Sequence, residues 1–273
     1  MSSQESIFYW LATLATAVTF FISILSIVLK RGSYLKISRI FFYLSFISLT
    51  VFGILRWIQS GHPPFVTLFE SMTMSVWLVF LAYLIIQKVS SRSLIILIPV
   101  SLFSFLLLGW SISLPTESSQ LSVALNNVWL FIHASFATSG AATFVIASSF
   151  SVIYILGEEW LQKHIKTAER IPEYKAIPKQ ILNFVILGLI LWGVMIVSGS
   201  IWAHNAWGRY WAWDPIELWS LISWLLYGLV LHSRIGFKLS NKLFCWMTIF
   251  AALTVIFALW GVGYVYETIH VYG

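Results

Sequence analysis

The residues best suited to chemistry are six histidines and a dense cluster of tryptophans in a chain of 273 residues. Six of the fifteen tryptophans fall between residues 202 and 224, more than an aromatic belt at a membrane interface requires. Flat indole rings beside histidines suit a large planar ligand that carries a few anionic groups. Haem fits this description, because histidine nitrogens can bind its iron. The members of the cluster that we predict to contact haem are Trp207, Arg209, Trp211, Trp213 and Asp214.

Asp214 and Glu217 also have a purely structural interpretation. Asp214 precedes Pro215, and Glu217 follows three residues after Asp214. This pattern matches a helix start with an acidic N-cap, a proline in the first turn and a capping box. In that role the two carboxylates would hold the Trp-rich segment against the next helix and support ligand binding indirectly. The sequence leaves both roles open and favours the architectural one.

The rest of the chain consists of apolar runs that must position these residues. Hydrophobic residues make up 59% and charged residues 10% of the chain, with a mean hydropathy of +0.88, which excludes an ordinary water-soluble enzyme. Eight runs are near the roughly 20 residues that an α-helix needs to cross a bilayer: 7–29, 38–57, 66–87, 94–112, 128–156, 181–203, 216–233 and 243–264. We predict an all-α, polytopic membrane protein, a single domain over residues 1–273 with a Trp-rich outer loop at about 202–219. The single Cys245 excludes a disulfide framework and a cysteine metal site.

The basic residues indicate the topology. All of the sixteen Lys and Arg residues except Arg56 and Arg209 lie in or beside the connections after the first, third, fifth and seventh runs. By the positive-inside rule those connections face the cytoplasm, and both termini face the outer side. The net charge of +6 is therefore a topology signal, and we expect no nucleic-acid partner. The first run follows MSSQES, which lacks the basic residues of a signal peptide, so we expect it to be a retained helix.

This topology collects most of the histidines on one side of the membrane. Those predicted on the outer side are His62, His133, His204 and His270. His164 and His232 are predicted on the cytoplasmic side. Ionisable residues in or beside spanning helices usually mark a functional site, so the outer group is the candidate for iron ligation.

Several segments resemble one family of membrane proteins. WGRYWAWDPIELWSLISW at 207–224 resembles the WWD signature of the haem-handling proteins of cytochrome c assembly. It is most similar to the CcsA family, also called ResC, of the system II cytochrome c synthase. Further similarity covers GHPPFVTLFES at 61–71, IHASFATSGAATF at 132–144 and LVLHSR at 229–234.

The resemblance implies a function and a set of roles. Members of the family act with a CcsB (ResB) partner as part of a holocytochrome c synthase. They carry or receive haem b and present it on the outer side for thioether attachment to the CxxCH cysteines of apocytochrome c. The family's external pair of iron ligands falls on His133 and His270, and its membrane histidine, which receives haem, falls on His232. The host membrane would be the bacterial cytoplasmic membrane or the thylakoid membrane.

Other positions are less determined. His62 and His204 lie on the outer side, where a loop-stabilising hydrogen bond is the favoured role and participation in the haem site the alternative. The chain departs from the family pattern at Ile216, commonly lysine, and at Phe69, commonly tyrosine. Neither position supplies an iron ligand, so the departures concern only details of the loop's contacts.

Three alternative functions remain open at the level of the sequence. A CcmC-like component of haem export shares the Trp-rich motif. A CcsA-like membrane regulator or transporter would bind no haem. A respiratory b-type cytochrome would carry histidine pairs within the membrane, and this chain has no predicted span with two well-buried histidines. No motif pairs a nucleophile with a base, so positioning of substrates is the expected contribution to catalysis.

Overall fold

The computed structural model describes residues 1–89, 93–117, 127–164 and 174–269, and over these ranges every regular element is a helix. Within the described ranges, eight helices are long and apolar enough to cross a membrane, which confirms the predicted fold class. The α-helices are α1 (Ser3–Val28), α2 (Ser33–Ser60), α3 (Leu68–Val89), α4 (Leu97–Ser111), α5 (Val128–Leu156), the short α6 (Glu158–His164), α7 (Ile177–Trp207), α8 (Pro215–Ile235), α9 (Asn241–Ile256) and α10 (Val262–Val265). Two 3-10 turns, Ser93–Ile96 and Tyr174–Ala176, lead into α4 and α7. A π-helical turn, Phe257–Gly261, joins α9 to α10, so these elements form one continuous last span.

The helix that leads into the Trp-rich segment is longer than the sequence predicts. α7 runs over Ile177–Trp207 instead of 181–203, because a helix continues past its apolar run until a residue ends it. That residue is Gly208, whose φ of +74° is the left-handed conformation usual after a helix. The predicted outer loop at 202–219 is therefore mostly helical, and only residues 208–214, which we call the Trp loop, are not.

Polar side chains hold α1 against α2. Thr16 Oγ1 and Ser45 Oγ lie 2.7 Å apart, and Ser45 Oγ also donates to the carbonyl oxygen of Ala12 at 3.0 Å. The opposite helix faces carry exposed apolar side chains such as Leu14 and Ile58. Such an arrangement, with small and hydroxyl-bearing side chains between the helices and apolar side chains on the outer faces, is expected for a helix bundle surrounded by lipid.

A buried ionic group joins three helices at the end of the bundle that carries the Trp loop. Arg56 Nε on α2 donates to Glu70 Oε1 on α3 at 2.8 Å, and Arg56 Nη1 lies 3.8 Å from Glu5 Oε1 on α1. The arginine also donates to the carbonyl oxygens of Thr116 and Glu117. All three charged side chains are fully buried. The other oxygen of the Glu70 carboxylate accepts from the backbone ahead of α3, so the network fixes the wall of the site described next.

Candidate functional site

His133 lies in the second turn of α5 and packs against α7. Its Nδ1 lies 2.9 Å from the carbonyl oxygen of Met195, and because a carbonyl only accepts, Nδ1 donates. The ring is so close to Gly199 that a Cβ atom there would lie 2.5 Å from Nδ1. Trp202 stacks beside the ring, with centroids 6.3 Å apart and planes 15° from parallel. These contacts hold the imidazole in one orientation through Nδ1, which is how metal-binding histidines are usually oriented.

His133 forms part of the wall of a cavity of about 350 Å³, within the range usual for small-molecule sites. The cavity lies between the starts of α3, α5 and α8 and the end of the last span. Its wall is mainly apolar and aromatic and includes Phe65, Leu130, Ile216, Trp260 and Tyr264. Its lining suits a largely apolar ligand with a few polar groups.

The π-helical turn contributes to this wall. Ala258, Leu259 and Trp260 all face the cavity, and Trp260 Nε1 donates to Ser71 Oγ on α3 at 3.2 Å. Single π-turns inside α-helices occur frequently at functional sites. Here the turn places an indole ring on the cavity and ties the last span to α3.

One tryptophan of the Trp loop, Trp213, is exposed and has an unfavourable backbone conformation. Trp213 has φ of +59° and its side chain is 71% exposed. Its ring meets Trp211 edge to face, with centroids 5.9 Å apart. A bulky residue in the left-handed region is strained, and such strain is concentrated at functional sites.

The capping box predicted at the start of α8 is confirmed. Asp214 Oδ1 accepts from the backbone N–H of Ile216 at 3.0 Å. Glu217 Oε2 accepts from the backbone N–H groups of Asp214 at 3.3 Å and Ala212 at 2.8 Å. The two carboxylates therefore hold the end of the Trp loop on α8.

Asp214 also binds the C-terminal segment of the chain, which the sequence did not predict. Thr268 Oγ1 donates to Asp214 Oδ1 at 2.8 Å and is 3.0 Å from Oδ2. The backbone N–H of Ile269 donates to Oδ2 at 2.9 Å. Asp214 is 7% exposed, so one buried carboxylate joins the Trp loop, α8 and the segment that leads to His270.

A second, small cavity of about 40 Å³ separates His133 from the Trp loop. Trp211 and Glu217 are in its wall. Among the residues that the structure describes, none accepts a hydrogen bond from the buried Nε1 of Trp211.

Residues 65–270 match the family described as Cytochrome C assembly protein. The chain belongs to this family. A Cytochrome c biogenesis protein CcsA of Prochlorococcus marinus is 30% identical over 268 residues, covering 87% of this chain and 84% of that protein. The CcsA protein of Chlamydomonas reinhardtii is 30% identical over 252 residues, covering 88% and 69%.

The fold also matches a solved structure of a protein titled Cytochrome c Heme Lyase CcmF. The TM-score is 0.70 at 18% sequence identity, over 93% of this chain. The chain spans 46% of the length of that protein. At this identity the match establishes a common fold, in which the helices of this family member correspond to part of a longer chain.

The remaining predicted site residues of this family member lie at different distances from the cavity. Trp207 packs edge to face on Trp202, with centroids 4.8 Å apart. Arg209 is exposed on the Trp loop. His204 is exposed and stacks on Tyr210 at 4.2 Å, whereas His62 is buried with Nδ1 3.1 Å from the carbonyl oxygen of Pro63. Neither histidine is among the described residues of the cavity wall, so the structure favours local roles for both.

Of the other two predicted histidines, the structure describes only His232. His232 is exposed at the far end of α8, where its ring meets Phe237 edge to face at 5.3 Å. At 1.5 Å per residue, it is roughly 26 Å along the helix from Pro215, so a single haem could not contact both ends. His270 lies outside the described residues.

Three residues that position this site were missed by sequence reasoning. Gly199 lies within the small-residue run Ser198–Ser200, and a glycine in a spanning helix is a recognisable sign of close approach. Met195 contacts His133 through its backbone carbonyl oxygen, so the identity of its side chain does not indicate the contact. Thr268 lies in a short polar tail whose partner is 54 residues away in sequence, and no local pattern indicates that contact.

Proposed function

We propose that this chain binds haem b as a substrate in the 350 Å³ cavity, with His133 and His270 as the two iron ligands. It would present the haem at the Trp-loop end for attachment to the CxxCH cysteines of apocytochrome c. The chain then acts as the haem-handling subunit of a holocytochrome c synthase. The match to the Cytochrome C assembly protein family and to CcsA proteins supports this proposal.

The orientation of His133 supports the proposal most strongly. A spanning helix carries a histidine on the wall of an apolar cavity, and its Nδ1 is held 2.9 Å from the carbonyl oxygen of Met195. A hydrogen bond from one ring nitrogen fixes the tautomer in which the other nitrogen binds a metal. A buried imidazole N–H needs an acceptor in any role, so the proposal depends on this hydrogen bond and the position on the cavity wall together.

The aromatic surroundings supply the remaining contacts. Trp260 and Tyr264 on the cavity wall can contact the macrocycle, while the exposed ring of Trp213 can cover its edge. Arg209 lies on the same loop and is exposed, so its guanidinium can pair with a haem propionate. Of the tryptophans in the Trp-rich segment, Trp213 is the one to which we assign a contact with haem.

The chemistry requires positioning more than acid–base catalysis. Each cysteine S–H adds across a haem vinyl group: the sulfur bonds to one vinyl carbon, and the hydrogen goes to the other. No electrons are gained or lost overall, and no group leaves. The contribution of the chain is to hold the two vinyl groups beside the two thiols at high effective concentration, and the apolar wall of the cavity excludes water from the reaction.

His232 would receive haem at the opposite end of the bundle before it reaches the cavity. We propose that the chain acts with a CcsB-type membrane partner in a bacterial cytoplasmic membrane or a thylakoid membrane. Relatives from a cyanobacterium and a green alga agree with both locations. The roughly 26 Å between His232 and the start of α8 requires haem to move between two separate sites.

The first experiment measures haem in the purified complex. The chain is expressed with its partner, and haem is quantified by absorption spectrum and pyridine haemochrome for wild type, His133→Ala, His270→Ala and the double variant. We expect a low-spin spectrum in wild type and loss of most haem in the double variant. His164→Ala is the matched control, because His164 also binds a carbonyl through Nδ1, that of Trp160 in α6. Full haem content and normal cytochrome c maturation in the double variant would refute the ligand assignment.

A further inference from the structure

Two hydroxyl-bearing residues at the start of α3 belong to the wall of the larger cavity. They are Thr67, the residue before α3, and Ser71, in the first turn of the helix. The backbone N–H of Ser71 donates to the carbonyl oxygen of Thr67 at 2.8 Å, so the two residues are one helical turn apart and their side chains are neighbours. We call Thr67 and Ser71 the hydroxyl pair.

Both oxygens of the hydroxyl pair act as hydrogen-bond acceptors within the protein. Thr67 Oγ1 accepts from the backbone N–H of Glu70 at 3.2 Å, and Ser71 Oγ accepts from Trp260 Nε1 at 3.2 Å. A hydroxyl group also has one O–H to donate. Among the residues that the structure describes, neither O–H of the pair has an acceptor. Each member can therefore donate to a ligand in the cavity.

Other hydroxyl groups of the bundle use their O–H within their own helix. Thr73, two residues after Ser71 in α3, donates to the carbonyl oxygen of Phe69 at 2.7 Å. Thr138 in α5 and Thr248 in α9 donate to the preceding turn in the same way. Such a bond is a common way for a hydroxyl in a helix to satisfy its donor. Ser71 differs because its hydroxyl is part of a cavity wall.

The arrangement of donors on the wall suits a carboxylate. A carboxylate only accepts hydrogen bonds, and the described part of the wall includes neither lysine nor arginine, so a carboxylate in the cavity would depend on neutral donors. Thr268 donates its O–H to Asp214, whereas the hydroxyl pair has two donors to offer. O–H···O⁻ bonds are about 2.5–2.7 Å long, and side chains one turn apart are about 5–6 Å apart at Cβ. Two such bonds can therefore reach one carboxylate.

The buried carboxylate of Glu70 does not oppose a second carboxylate at this position. Arg56 Nε donates to its Oε1 at 2.8 Å, and the backbone N–H groups of Val66 and Thr67 donate to its Oε2. The charge of Glu70 is thus offset by a guanidinium and by backbone dipoles, and the hydroxyl groups of the pair are not used for it.

We propose that the hydroxyl pair is a carboxylate subsite, in which Thr67 and Ser71 hold one carboxylate of a largely apolar ligand by two O–H donors. If the ligand is haem, this group is one of its two propionates, and Arg209 is left to pair with the other. The identity of the ligand as haem rests on the proposed function. The subsite itself depends only on the two hydroxyl groups and the cavity.

Four substitutions separate donation to a ligand from capping and packing. Thr67→Asp and Thr67→Asn both retain a good N-cap residue, and Asp214 already forms a capping box with an acidic residue in this chain. Asparagine keeps an N–H donor, whereas aspartate has none and adds a negative charge. Ser71→Ala removes the second donor. Thr73→Val is the control, because its hydroxyl donates only within α3.

The first measurement uses pyrenebutyrate and its methyl ester, with the full chain in phosphatidylcholine nanodiscs without haem. Saturable energy transfer from tryptophan to pyrene gives the affinity for each probe, and their ratio is the preference for the carboxylate. Loss of a hydrogen bond to a charged group should lower this preference about tenfold or more in Thr67→Asp and Ser71→Ala. Thr67→Asn and Thr73→Val should keep it.

The ratio removes two other effects from this measurement. Partitioning of each probe into lipid is the same for all variants, and a general loosening of the wall affects the acid and the ester alike. Equal affinities for the two probes in wild type, or a wild-type preference in both Thr67→Asp and Ser71→Ala, would overturn the subsite. This decision does not depend on whether the protein binds haem.

The second measurement compares haem with haem dimethyl ester, by absorption titration of the chain expressed with its partner. The preference for haem should fall about tenfold in Thr67→Asp and Ser71→Ala and remain in Thr67→Asn and Thr73→Val. An unchanged preference for haem in all variants would overturn the assignment of a propionate to the subsite. A wild-type complex that binds neither haem nor its ester would overturn the proposed function, and the pyrene probes would still decide the subsite.

Discussion

The backbone of Gly199 lies against the imidazole ring of His133, so that a Cβ atom at position 199 would be 2.5 Å from Nδ1 and 2.8 Å from Cε1. The histidine thus occupies space on α7 that only a glycine leaves open. From there its Nδ1 reaches the carbonyl oxygen of Met195, one turn earlier in the same helix. The orientation of the proposed iron ligand is therefore determined by a residue without a side chain.

Gly199→Ala should displace the imidazole and weaken haem binding. Because the backbone on both sides is fixed in helices, the ring must move and its bond to Met195 must break. Loss of a ligand-orienting hydrogen bond typically lowers metal affinity about 10- to 100-fold, and we expect a loss of that order in a haem titration. Helix content should be unchanged, since alanine favours helices more than glycine does.

Gly228→Ala is the control for this substitution. Gly228 lies in α8, and a Cβ atom there would have no neighbour within 4 Å. It should bind haem as wild type does. Equal haem affinity in the Gly199→Ala and Gly228→Ala variants would mean that the orientation of His133 does not matter for binding.

Trp213→Gly tests whether the backbone strain in the Trp loop is retained for function. Release from the left-handed region gains about 1–2 kcal/mol, and this gain is offset by the loss of the edge-to-face contact with Trp211, about 0.5–1.5 kcal/mol. The side chain is 71% exposed, so we expect thermal stability to change little although a large ring is lost. Haem retention during gel filtration should fall.

Lys238 provides the comparison, since its φ of +51° is also left-handed and it lies after α8, far from the cavity. Lys238→Gly should raise thermal stability slightly and leave haem retention as in wild type. A Trp213→Gly protein that retained haem fully would show that the exposed indole does not contact it.

Arg56→Met should destabilise the bundle strongly. The substitution leaves the fully buried carboxylates of Glu5 and Glu70 without their cation, and removal of one partner from a buried ion pair costs about 3–5 kcal/mol. Adding Glu70→Gln to Arg56→Met should recover part of the loss, because one uncompensated charge is removed. Thermal unfolding in detergent of the two single variants and the double variant measures this coupling, and strictly additive effects would contradict it.

The sequence predicted the helices well because their determinants are local. Eight apolar runs indicated eight spans, and the Asp-Pro-Ile-Glu pattern indicated the capping box that Asp214 and Glu217 form. The sequence predicted that this span ends at residue 203, whereas α7 ends at Trp207. The end of an apolar run indicates where the helix leaves the hydrocarbon core, and the helix itself can continue beyond that point.

The geometry of the site could not be read in the same way, since it depends on contacts between distant segments. The positions of His133 against Gly199 and of Asp214 against Thr268 depend on how α5, α7 and the last span pack. The pairing of Arg56 with Glu70 has the same origin. Sequence patterns pointed to the histidines and the Trp-rich segment, but of the predicted site residues that the structure describes only His133 lies on the wall of the larger cavity.

His232→Ala tests whether haem uses two separate sites. His232 is exposed at the far end of α8, so its loss should change stability by no more than about 0.5 kcal/mol. If it receives haem on the way to the cavity, the variant should contain less haem when isolated from cells. The purified, haem-free variant should nevertheless bind added haem with wild-type affinity, because His133 and the cavity are intact.

His133→Ala should behave differently in the same two assays, with low haem content from cells and weak binding of added haem. The contrast separates a defect in delivery from a defect in retention, which a maturation assay alone would not distinguish. Weak binding of added haem by His232→Ala would mean that the two ends of α8 belong to one site. The roughly 26 Å between those ends would then have to be bridged by a rearrangement of the bundle.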